Sequence, residues 1–355
     1  MSVLSNITRG DMTSATLFSR LLEAQQRQAE LKTRVASGRY QSKINSSKRE
    51  VGKWRTVKDD IATASSQIHG NLGRIKSMAS RIENMILTVN KAGQPTEGTT
   101  NTDGYSATFD SYLKGLAKEA DSSGKPPNLL GKFEPSLTYK TGLHGTTASV
   151  QGAYVGSDYY IIDSDGKRWA LNREAKHIKR YDDYPNDPTN KVGGFKDGLR
   201  LDSISGDNID FTIAPNTATP ESFSGTLHRL GIGIMDSWYY DGLSTDAARD
   251  RAITDLKAAQ QAVNLEVTRY EVAARMAKFY EDRATAEIKG LREEVNDNLL
   301  DQARDVKKAH DELSRQFQAA NNNIAHALAM KNQYATMLSP LVNDKFTKIL
   351  LDVIV

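Results

Sequence analysis

The six histidines are the residues with the most direct chemical potential, because histidine ligates metals and transfers protons near neutral pH. They stand at positions 69, 144, 177, 228, 310 and 326. None has the His-Glu-x-x-His spacing that places two zinc ligands on one helix face. The chain also lacks a Gly-x-Ser-x-Gly nucleophile turn and a glycine-rich loop ending in Lys-Ser or Lys-Thr. The sequence therefore indicates no catalytic residue, no metal site and no cofactor, and we expect a protein that is not an enzyme.

One acidic stretch, DSDGKRWALNRE, shares some features with a calcium-binding loop. Such loops carry oxygen ligands at fixed positions, with glycine at the sixth and glutamate at the twelfth. Aligning Gly166 with the sixth position puts Ile161 at the first ligand position and Asn172 at the twelfth. We therefore interpret the stretch as a β-hairpin turn between two runs rich in Tyr, Ile, Trp and Leu.

Two regions of the chain are rich in charged residues and could in principle bind a ligand or nucleic acid. The stretch YDDYPNDP at 181–188 combines acids and aromatics that could bind a cation or a sugar, and we interpret it as a solvated surface loop. Residues 1–56 contain eleven Lys or Arg against four Asp or Glu. No aromatic interleaving or known nucleic-acid module accompanies these charges, so we predict a solvated helix face and no nucleic-acid partner.

The composition places the chain among polar, helix-rich proteins. Its 355 residues are 38% hydrophobic and include no cysteine, so the fold uses no disulfide or thiolate-bound metal. No run of eighteen apolar residues predicts a membrane-spanning helix, and the N-terminus lacks the apolar core and cleavage site of a secretory signal. We expect no membrane insertion and, if the protein leaves the cell, a route without a cleaved signal peptide.

Apolar residues at steps of three and four form a seam, meaning an apolar stripe along one face of a helix, in the N-terminal third. The seam begins with Leu17, Leu21, Ala24, Leu31 and Val35. It resumes at Val57 and continues through Ile61, Ala64, Ile68, Leu72, Ile75, Ala79, Ile82, Ile86 and Val89. A seam of this length predicts a long helix that needs partner helices.

The stretch RVASGRYQSKINSSKRE at 34–50 interrupts this seam. Glycine costs about 1 kcal/mol in a helix interior, and Ser and Asn favour caps and turns. We predict that Ser37 and Gly38 end the first helix, that Ile44 and Asn45 lie in a connector, and that the next helix starts near residue 48. We expect Gly38→Ala to harm assembly more than monomer folding.

The middle of the chain changes period from helix to strand. Turn formers follow residue 90, and a short helix with Phe109, Leu113, Leu116 and Ala120 on one face comes next. Alternating runs such as LRLDSIS, IDFTIA and TLHRLGIGIM then predict strands up to about Gly242. Ser244 is a suitable N-cap for the helix that follows.

The C-terminal third is a second helical region with its own seam. Its apolar positions include Leu256, Val263, Val267, Tyr270, Ala274, Ala277, Ala284, Ile288, Leu291, Val295, Val306, Leu313, Phe317, Ile324 and Leu328. Neither terminal seam can be buried alone, so we predict an α+β fold in which long antiparallel coiled-coil helices from both termini carry a β-rich insert as an outer domain. The predicted segments are 1–36, 37–47, 48–130, 131–242, 243–300 and 301–355.

Several stretches resemble the flagellins of bacteria. ELKTRVASGRYQSKINSSKRE is similar to their N-terminal signature, LGRIKSMASRIENM to their next long helix, and LAKEADSSGKPPNLLG to the end of their inner helical domain. DELSRQFQAANNNIAHALAMKNQYATMLSPL resembles their terminal helix. The sequence departs from the flagellin pattern at AAQQAVNLEVTRYEVAAR and in the residues after Leu341.

The resemblance implies a structural subunit that is exported unfolded through a type III export apparatus and self-assembles into the flagellar filament for motility. It implies an extracellular location in the bacterial flagellum. The implied partners are further copies of the chain, other flagellar axial proteins such as junction and cap proteins, an export chaperone and the export apparatus. A hook–filament junction adaptor, and a non-enzymatic surface filament or adhesin displaying the β-rich insert, are the alternatives.

Two helical layers follow from the seams and the resemblance together. We predict intersubunit contacts in an innermost layer formed by Leu17, Leu21, Leu31, Val35, Leu313, Phe317, Ile324 and Leu328. We predict an intramolecular core formed by Ile61, Ile68, Leu72, Ile75, Ile82, Val263, Val267, Ile288 and Leu291. A short apolar stripe in the tail, which we expect to be buried in a filament interior, comprises Phe346, Ile349, Leu350, Val353 and Ile354.

Overall fold

The computed structural model describes residues 2–94, 102–122, 127–133 and 136–351. Side chains in the two long helices are described within residues 19–337, apart from positions 21, 328 and 335. The chain divides into two compact units, which are treated separately below. Unit 1 comprises Met1–Lys53 and Glu287–Val355, and unit 2 comprises Trp54–Ala286. These divisions do not coincide with the predicted boundaries at 36–48 and at residue 300.

Two long helices, a shorter helix and nine strands make up the described structure. The helices are α1 (Ser2–Ala92), α2 (Thr102–Asp121) and α3 (Asp246–Leu351), and a 3₁₀ segment, Ser237–Leu243, precedes α3. The strands are β1 (Ser136–Lys140), β2 (Thr147–Gln151), β3 (Ser157–Asp163), β4 (Arg168–Asn172), β5 (His177–Asp183), β6 (Asp187–Gly194), β7 (Leu199–Ser205), β8 (Asn208–Ile213) and β9 (Glu221–Gly231). The predicted α+β class is confirmed.

The helical part of unit 2 packs the seams of α1, α2 and α3 against one another. The α1 positions that are buried follow a helical period from Val57 to Val89, although Met78 and Met85 replace the predicted Ala79 and Ile86. Lys76 in α1 pairs with Glu271 in α3 at 2.9 Å, and the Cα of Gly93 lies beside the side chain of Arg249. Because the position in α1 rises as the position in α3 falls, the two helices run antiparallel in unit 2.

The short helix α2 is closed at its C-terminus by a side chain from α1. Arg74 donates to the carbonyl oxygens of Glu119 and Ala120, and also to Oδ1 of Asn128 at 3.0 Å. The last carbonyls of a helix have no partner within it and carry partial negative charge. The Arg74 guanidinium therefore satisfies these groups and fixes the end of α2 on α1.

Seven of the strands form one antiparallel sheet in the order β6-β5-β4-β3-β9-β8-β7, and β1 pairs with β2 separately. Strand β3 alternates strictly, with Ser157, Tyr159, Ile161 and Asp163 on the buried face. Trp169 is buried beside Phe211 and Phe223, with ring centroids 5.2 and 4.9 Å away. The sheet core is therefore an aromatic cluster on one face.

The hairpin predicted at DSDGKRWALNRE is confirmed. Strands β3 and β4 pair in antiparallel register, and the turn between them has Gly166 in the left-handed region at φ 74°. The stretch YDDYPNDP, predicted as a surface loop, instead belongs largely to strands β5 and β6, which pair antiparallel. The predicted strand through Gly233 and Met235 ends at Gly231.

The predicted helix break at 37–47 is wrong, because these residues lie inside α1. Ser37 and Ser47 donate their hydroxyl hydrogens to the carbonyls of Arg34 and Lys43 at 3.1 Å, so both are satisfied within the helix. Ile44, predicted in the connector, is almost fully buried, whereas Asn45 is exposed. Burial of Ile44 and the continuity of a long helix outweigh the poor local propensities.

The start of α3 also differs from the prediction by one residue. The Thr245 hydroxyl, rather than Ser244, accepts a hydrogen bond from the backbone N–H of Ala248 at 3.2 Å. Ser244 instead follows the 3₁₀ segment with helical backbone angles.

This continuity reverses the expectation for Gly38. Gly38 is exposed, and a Cβ added there would have no atom within 4 Å. Gly38→Ala should therefore raise the free energy of unfolding by about 0.5–1 kcal/mol, because alanine has less backbone entropy to lose. Urea denaturation followed by circular dichroism tests this.

Gly231→Ala is the contrasting variant. Gly231 has a φ of 72°, and a Cβ there would collide with the carbonyl oxygen of Gly156. The free energy of unfolding of this variant should therefore fall by about 2 kcal/mol or more. A Gly38→Ala protein less stable than the parent would contradict the helical assignment.

Candidate assembly surface

The predicted innermost-layer residues lie in unit 1 and differ widely in exposure. Leu31 and Val35 are 60% and 69% exposed. Phe317 and Ile324 are half-buried, and Leu313 is buried within the single chain. The side chains of Leu17, Leu21 and Leu328 lie outside the described residues. Leu313 thus already has intramolecular cover, whereas Leu31 and Val35 do not.

Unit 1 also has polar contacts between α1 and α3. The Tyr40 hydroxyl donates to Oδ2 of Asp305 at 2.9 Å, and Nε2 of Gln302 donates to the backbone oxygen of Ser37 at 3.1 Å. The Asp305 hydrogen bond raises the pKa of Tyr40. These contacts hold the region that was predicted to be a free connector.

Most of the predicted core residues are buried. Ile61, Ile68, Leu72, Ile75, Ile82 and Val263 in unit 2, and Ile288 in unit 1, are buried. Val267 and Leu291 are only half-buried. The tail residues Phe346, Ile349 and Leu350 have side chains outside the described residues, and Val353 lies beyond them altogether.

The structure reveals a second seam on α3 in unit 2, on the face opposite its buried one. The exposed fractions are 69% for Leu265, 52% for Val272, 44% for Met276 and 59% for Phe279. These positions are spaced by seven, four and three residues, which is the a/d pattern of a coiled coil. The second seam is about 21 Å long at 1.5 Å per residue.

Charged side chains border the second seam. Lys278 pairs with Asp282 at 2.9 Å and with Glu281 at 3.5 Å, and Arg269 pairs with Glu266 at 3.2 Å. An apolar centre with a charged rim is the usual composition of a protein interface. This seam was not predicted from the sequence, although its heptad spacing is present there.

A third group of exposed apolar side chains lies near the end of the described part of α3. Met330, Tyr334 and Met337 follow each other at four- and three-residue steps, and each is more than half exposed. Together with Leu31 and Val35 they give unit 1 apolar surface that the single chain leaves in water.

A buried polar cluster joins α2 to the sheet in unit 2. Asp110 accepts hydrogen bonds from the backbone N–H and the hydroxyl of Ser237, both at 2.7 Å. The neighbouring Asp236 is 1% exposed and accepts from Nε of Arg173 at 3.2 Å. Burial, and secondarily the Asp236 carboxylate, raises the pKa of Asp110 to about 7, although the Ser237 hydrogen bonds oppose this shift. Burial raises the pKa of Asp236 as well, with Arg173 acting against it.

The raised pKa of Asp110 predicts a pH-dependent stability. Between an unfolded pKa of 3.8 and a folded pKa of about 7, the folded state binds more protons. Stability should therefore fall as pH rises from about 4 to 7, by up to about 4 kcal/mol. Asp110→Asn should be more stable than the parent at pH 8 and should lose the part of this slope that Asp110 contributes, while Asp236, whose pKa is also raised, contributes the remainder. Urea unfolding at pH 5 and pH 8 measures both effects; a parent protein with equal stability at the two pH values, or an unchanged slope in the variant, would contradict this assignment.

Among the described residues, none of the helices combines the length and hydropathy needed to span a bilayer.

Comparison with known proteins gives structural matches only. No protein-family model and no curated protein sequence matches the chain. The structure is similar to the flagellar junction protein FlgL of Legionella pneumophila, with 10% identity, a TM-score of 0.32, and 75% of this chain and 99% of that chain covered. It is also similar to flagellar hook-associated protein 3 of Legionella pneumophila, with 11% identity, a TM-score of 0.34 and coverages of 76% and 99%. The match to FlgL of Xanthomonas campestris has 12% identity, a TM-score of 0.24 and coverages of 77% and 98%. No residue of this chain takes a role from these matches.

Proposed function

We propose that the chain is a non-enzymatic structural subunit of a bacterial flagellar axial assembly, located in the extracellular flagellum. The flagellar class rests on the terminal sequence resemblance. The observation that supports assembly most strongly is the second seam of α3, because four large apolar side chains at coiled-coil spacing lie in water in the single chain. Neighbouring copies of the chain, and other axial proteins, are the proposed occupants of this surface.

The terminal helices would add further contacts to this assembly. Leu31, Val35 and the group Met330, Tyr334 and Met337 are exposed on unit 1. We propose that these residues pack against neighbouring subunits, together with Leu17, Leu21, Phe317, Ile324, Leu328 and the tail. Leu313 is not placed in this interface, because it is already covered within its own chain. Export in an unfolded state, with a chaperone and the export apparatus as partners, belongs to the same proposal.

Two forms of axial subunit fit these surfaces. A filament subunit polymerises without limit, whereas a hook–filament junction adaptor forms a bounded layer between two different partners. The departures from the flagellin pattern in AAQQAVNLEVTRYEVAAR and after Leu341 fit the adaptor, and they fit a divergent flagellin or a paralogue that builds a related filament as well.

Electron microscopy and sedimentation of the purified full chain test the proposal. Ordered oligomers or filaments that form with increasing concentration support an axial subunit. Long filaments would favour the filament form, whereas bounded rings, or assembly only onto fragments of purified flagella, would favour the adaptor. A chain that stays monomeric and does not bind sheared flagella would contradict the proposed function.

A further inference from the structure

Two neighbouring cavities lie in unit 2 between α2, the 3₁₀ segment and the connection from β6 to β7. The larger has a volume of about 500 Å³ and the smaller about 220 Å³. Both are lined by Asp110, Lys176 and Phe195, so these side chains form a shared wall. The smaller cavity leads to the buried polar cluster that contains Asp236 and Arg173.

The smaller cavity contains buried polar atoms whose hydrogen-bonding capacity the described residues do not fill. Nη2 of Arg173 is buried and makes no hydrogen bond to any described residue. Oδ2 of Asp236 is also buried and has no donor within 3.5 Å among the described residues, although the Tyr159 hydroxyl interacts with this carboxylate. The other polar atoms of Arg173 and Asp236 are engaged, because Arg173 Nε donates to Oδ1 of Asp236 and Nη1 donates to the backbone oxygen of Ser157. Buried polar atoms whose hydrogen-bonding capacity is not filled are costly. A ligand that offers both an acceptor and a donor would satisfy the pair.

Charged side chains of both signs line the smaller cavity. Three cationic side chains, Lys114, Arg173 and Lys176, face two carboxylates, Asp110 and Asp236. Lys114 is paired with Glu174 at 2.5 Å, but Lys176 forms no ion pair with a described residue. Lys176 and Arg173 Nη2 are therefore available to a ligand carboxylate, and Asp236 Oδ2 is available to an adjacent hydroxyl.

Strained backbone surrounds the larger cavity. Three of its lining residues, Lys176, Asp197 and Asp241, have φ values of 52°, 58° and 47° although none is glycine. Such conformations cost of order 1 kcal/mol or more each, and they concentrate at ligand sites. One of these three residues, Lys176, lies at the shared wall of the two cavities.

The larger cavity offers groups suited to a hydroxyl-rich molecule. Carboxylates of Asp103 and Asp197 and the amide of Asn216 line it, together with the rings of Phe195 and Trp238. Carboxylates accept hydrogen bonds from hydroxyls, amides both donate to and accept from them, and rings cover the apolar face of a sugar. Its volume is sufficient for one or two sugar rings.

We propose that the two cavities together form a cleft that binds an acidic sugar of the hexuronate type. The carboxylate of the sugar lies between Arg173 and Lys176, and an adjacent hydroxyl of the sugar donates to Asp236. The sugar ring then occupies the larger cavity. This binding activity does not depend on the assembly function proposed above, because none of its residues lies on the second seam or in unit 1.

Isothermal titration calorimetry on the full chain tests the cleft, with glucuronate as the probe and glucose and glycine as comparison ligands. Glucuronate should bind with a Kd near or below about 1 mM, and glucose should bind at least about tenfold more weakly because it lacks the carboxylate. Lys176→Gln should weaken glucuronate binding about tenfold. Lys179→Gln, which changes a lysine in the same region that does not line either cavity, should leave it unchanged.

Three outcomes would overturn the proposal. The first is that glucuronate does not bind at concentrations up to about 10 mM. The second is that glucose binds as tightly as glucuronate, and the third is that glycine binds more tightly than glucuronate. Equal loss of binding in the Lys176→Gln and Lys179→Gln proteins would overturn the placement of the carboxylate. Unfolding curves for both variants verify that each is folded. The Lys176 side chain is exposed and makes no hydrogen bond to a described residue, and its backbone hydrogen bonds are unaffected by Lys176→Gln.

Discussion

Replacing both Leu265 and Phe279 with Glu should strongly weaken self-association of the full chain while changing its unfolding midpoint little. Both side chains are more than half exposed in the single chain, so charge at these positions disturbs little internal packing beyond the ring contact of Phe279 with Tyr280. In an assembly, each apolar side chain that leaves water contributes about 1.5–3 kcal/mol, and a buried unpaired carboxylate adds a further penalty. The concentration needed for assembly should therefore rise about 100-fold or more. Sedimentation velocity across a concentration series measures this shift.

A charge-matched control for the seam is the double variant Ala262→Glu and Asn264→Glu. Both positions are exposed on the same helix but lie about a quarter turn from the second seam. This protein should assemble within a few-fold of the parent concentration. If both double variants assemble like the parent, the second seam is not an interface. If both fail equally, added negative charge rather than the seam is responsible.

Asp163→Ala should destabilise the sheet by about 3–5 kcal/mol, the largest stability effect that we expect from one substitution. The Asp163 carboxylate accepts four hydrogen bonds, from the backbone N–H groups of Asp165 and Lys167, from Nε1 of Trp169 and from Nε of Arg180. Removing it leaves the Arg180 guanidinium and the Trp169 indole in the core without this acceptor. Urea unfolding followed by the fluorescence of Trp169 and Trp238 reports on this region.

The exposed carboxylate of Asp182 supplies the control for Asp163. Asp182 lies 3.6 Å from Arg180 but is largely solvated, so Asp182→Ala should cost less than about 1 kcal/mol. Equal losses of unfolding free energy in the two variants would mean that the buried hydrogen bonds of Asp163 stabilise the chain no more than the exposed ion pair of Asp182 does.

The pH dependence of Asp163 has the opposite sign to that of Asp110. Burial alone would raise the pKa of Asp163, but hydrogen bonds from Arg180, Lys167 and Trp169 together lower it below 3.8. A lowered folded pKa gives stability that is complete above the unfolded pKa and is lost as pH falls through the folded value. The loss of unfolding free energy in the Asp163→Ala protein should therefore be the same from pH 5 to pH 8. The stability difference between the Asp110→Asn protein and the parent should change across that range.

The parts of the fold that could be predicted from the sequence are those governed by periodicity. The α1 seam from Val57 to Val89 and the hairpin around Gly166 follow from local patterns, since burial on one face selects period 3.6 or 2. The break near Gly38 was predicted from propensities of about 1 kcal/mol or less per residue. The burial of Ile44 and the helical continuity outweigh that local cost, and neither is visible in a propensity scale.

The two candidate sites were harder to predict for different reasons. The second seam has a readable spacing, but only the structure shows that its side chains stay exposed while the predicted seam on the opposite face of α3 is buried in unit 2. The polar cluster has no local signal at all, because Asp110 belongs to α2 while Ser237 and Asp236 lie beyond the entire sheet in sequence. Its carboxylates acquire raised pKa values only once burial brings them together.

The pairing of β3 with β9 has a consequence for the order of folding. Tyr160 lies opposite His228, and five strands lie between them in the sequence. The chain must therefore close a loop that contains these five strands before β3 and β9 can pair. Contacts that are distant in sequence form slowly, because loop-closure entropy is lost before they stabilise the chain. Helices form from local contacts in about a microsecond. On refolding from urea, the helical signal should therefore recover well before the fluorescence of Trp169 in the sheet core.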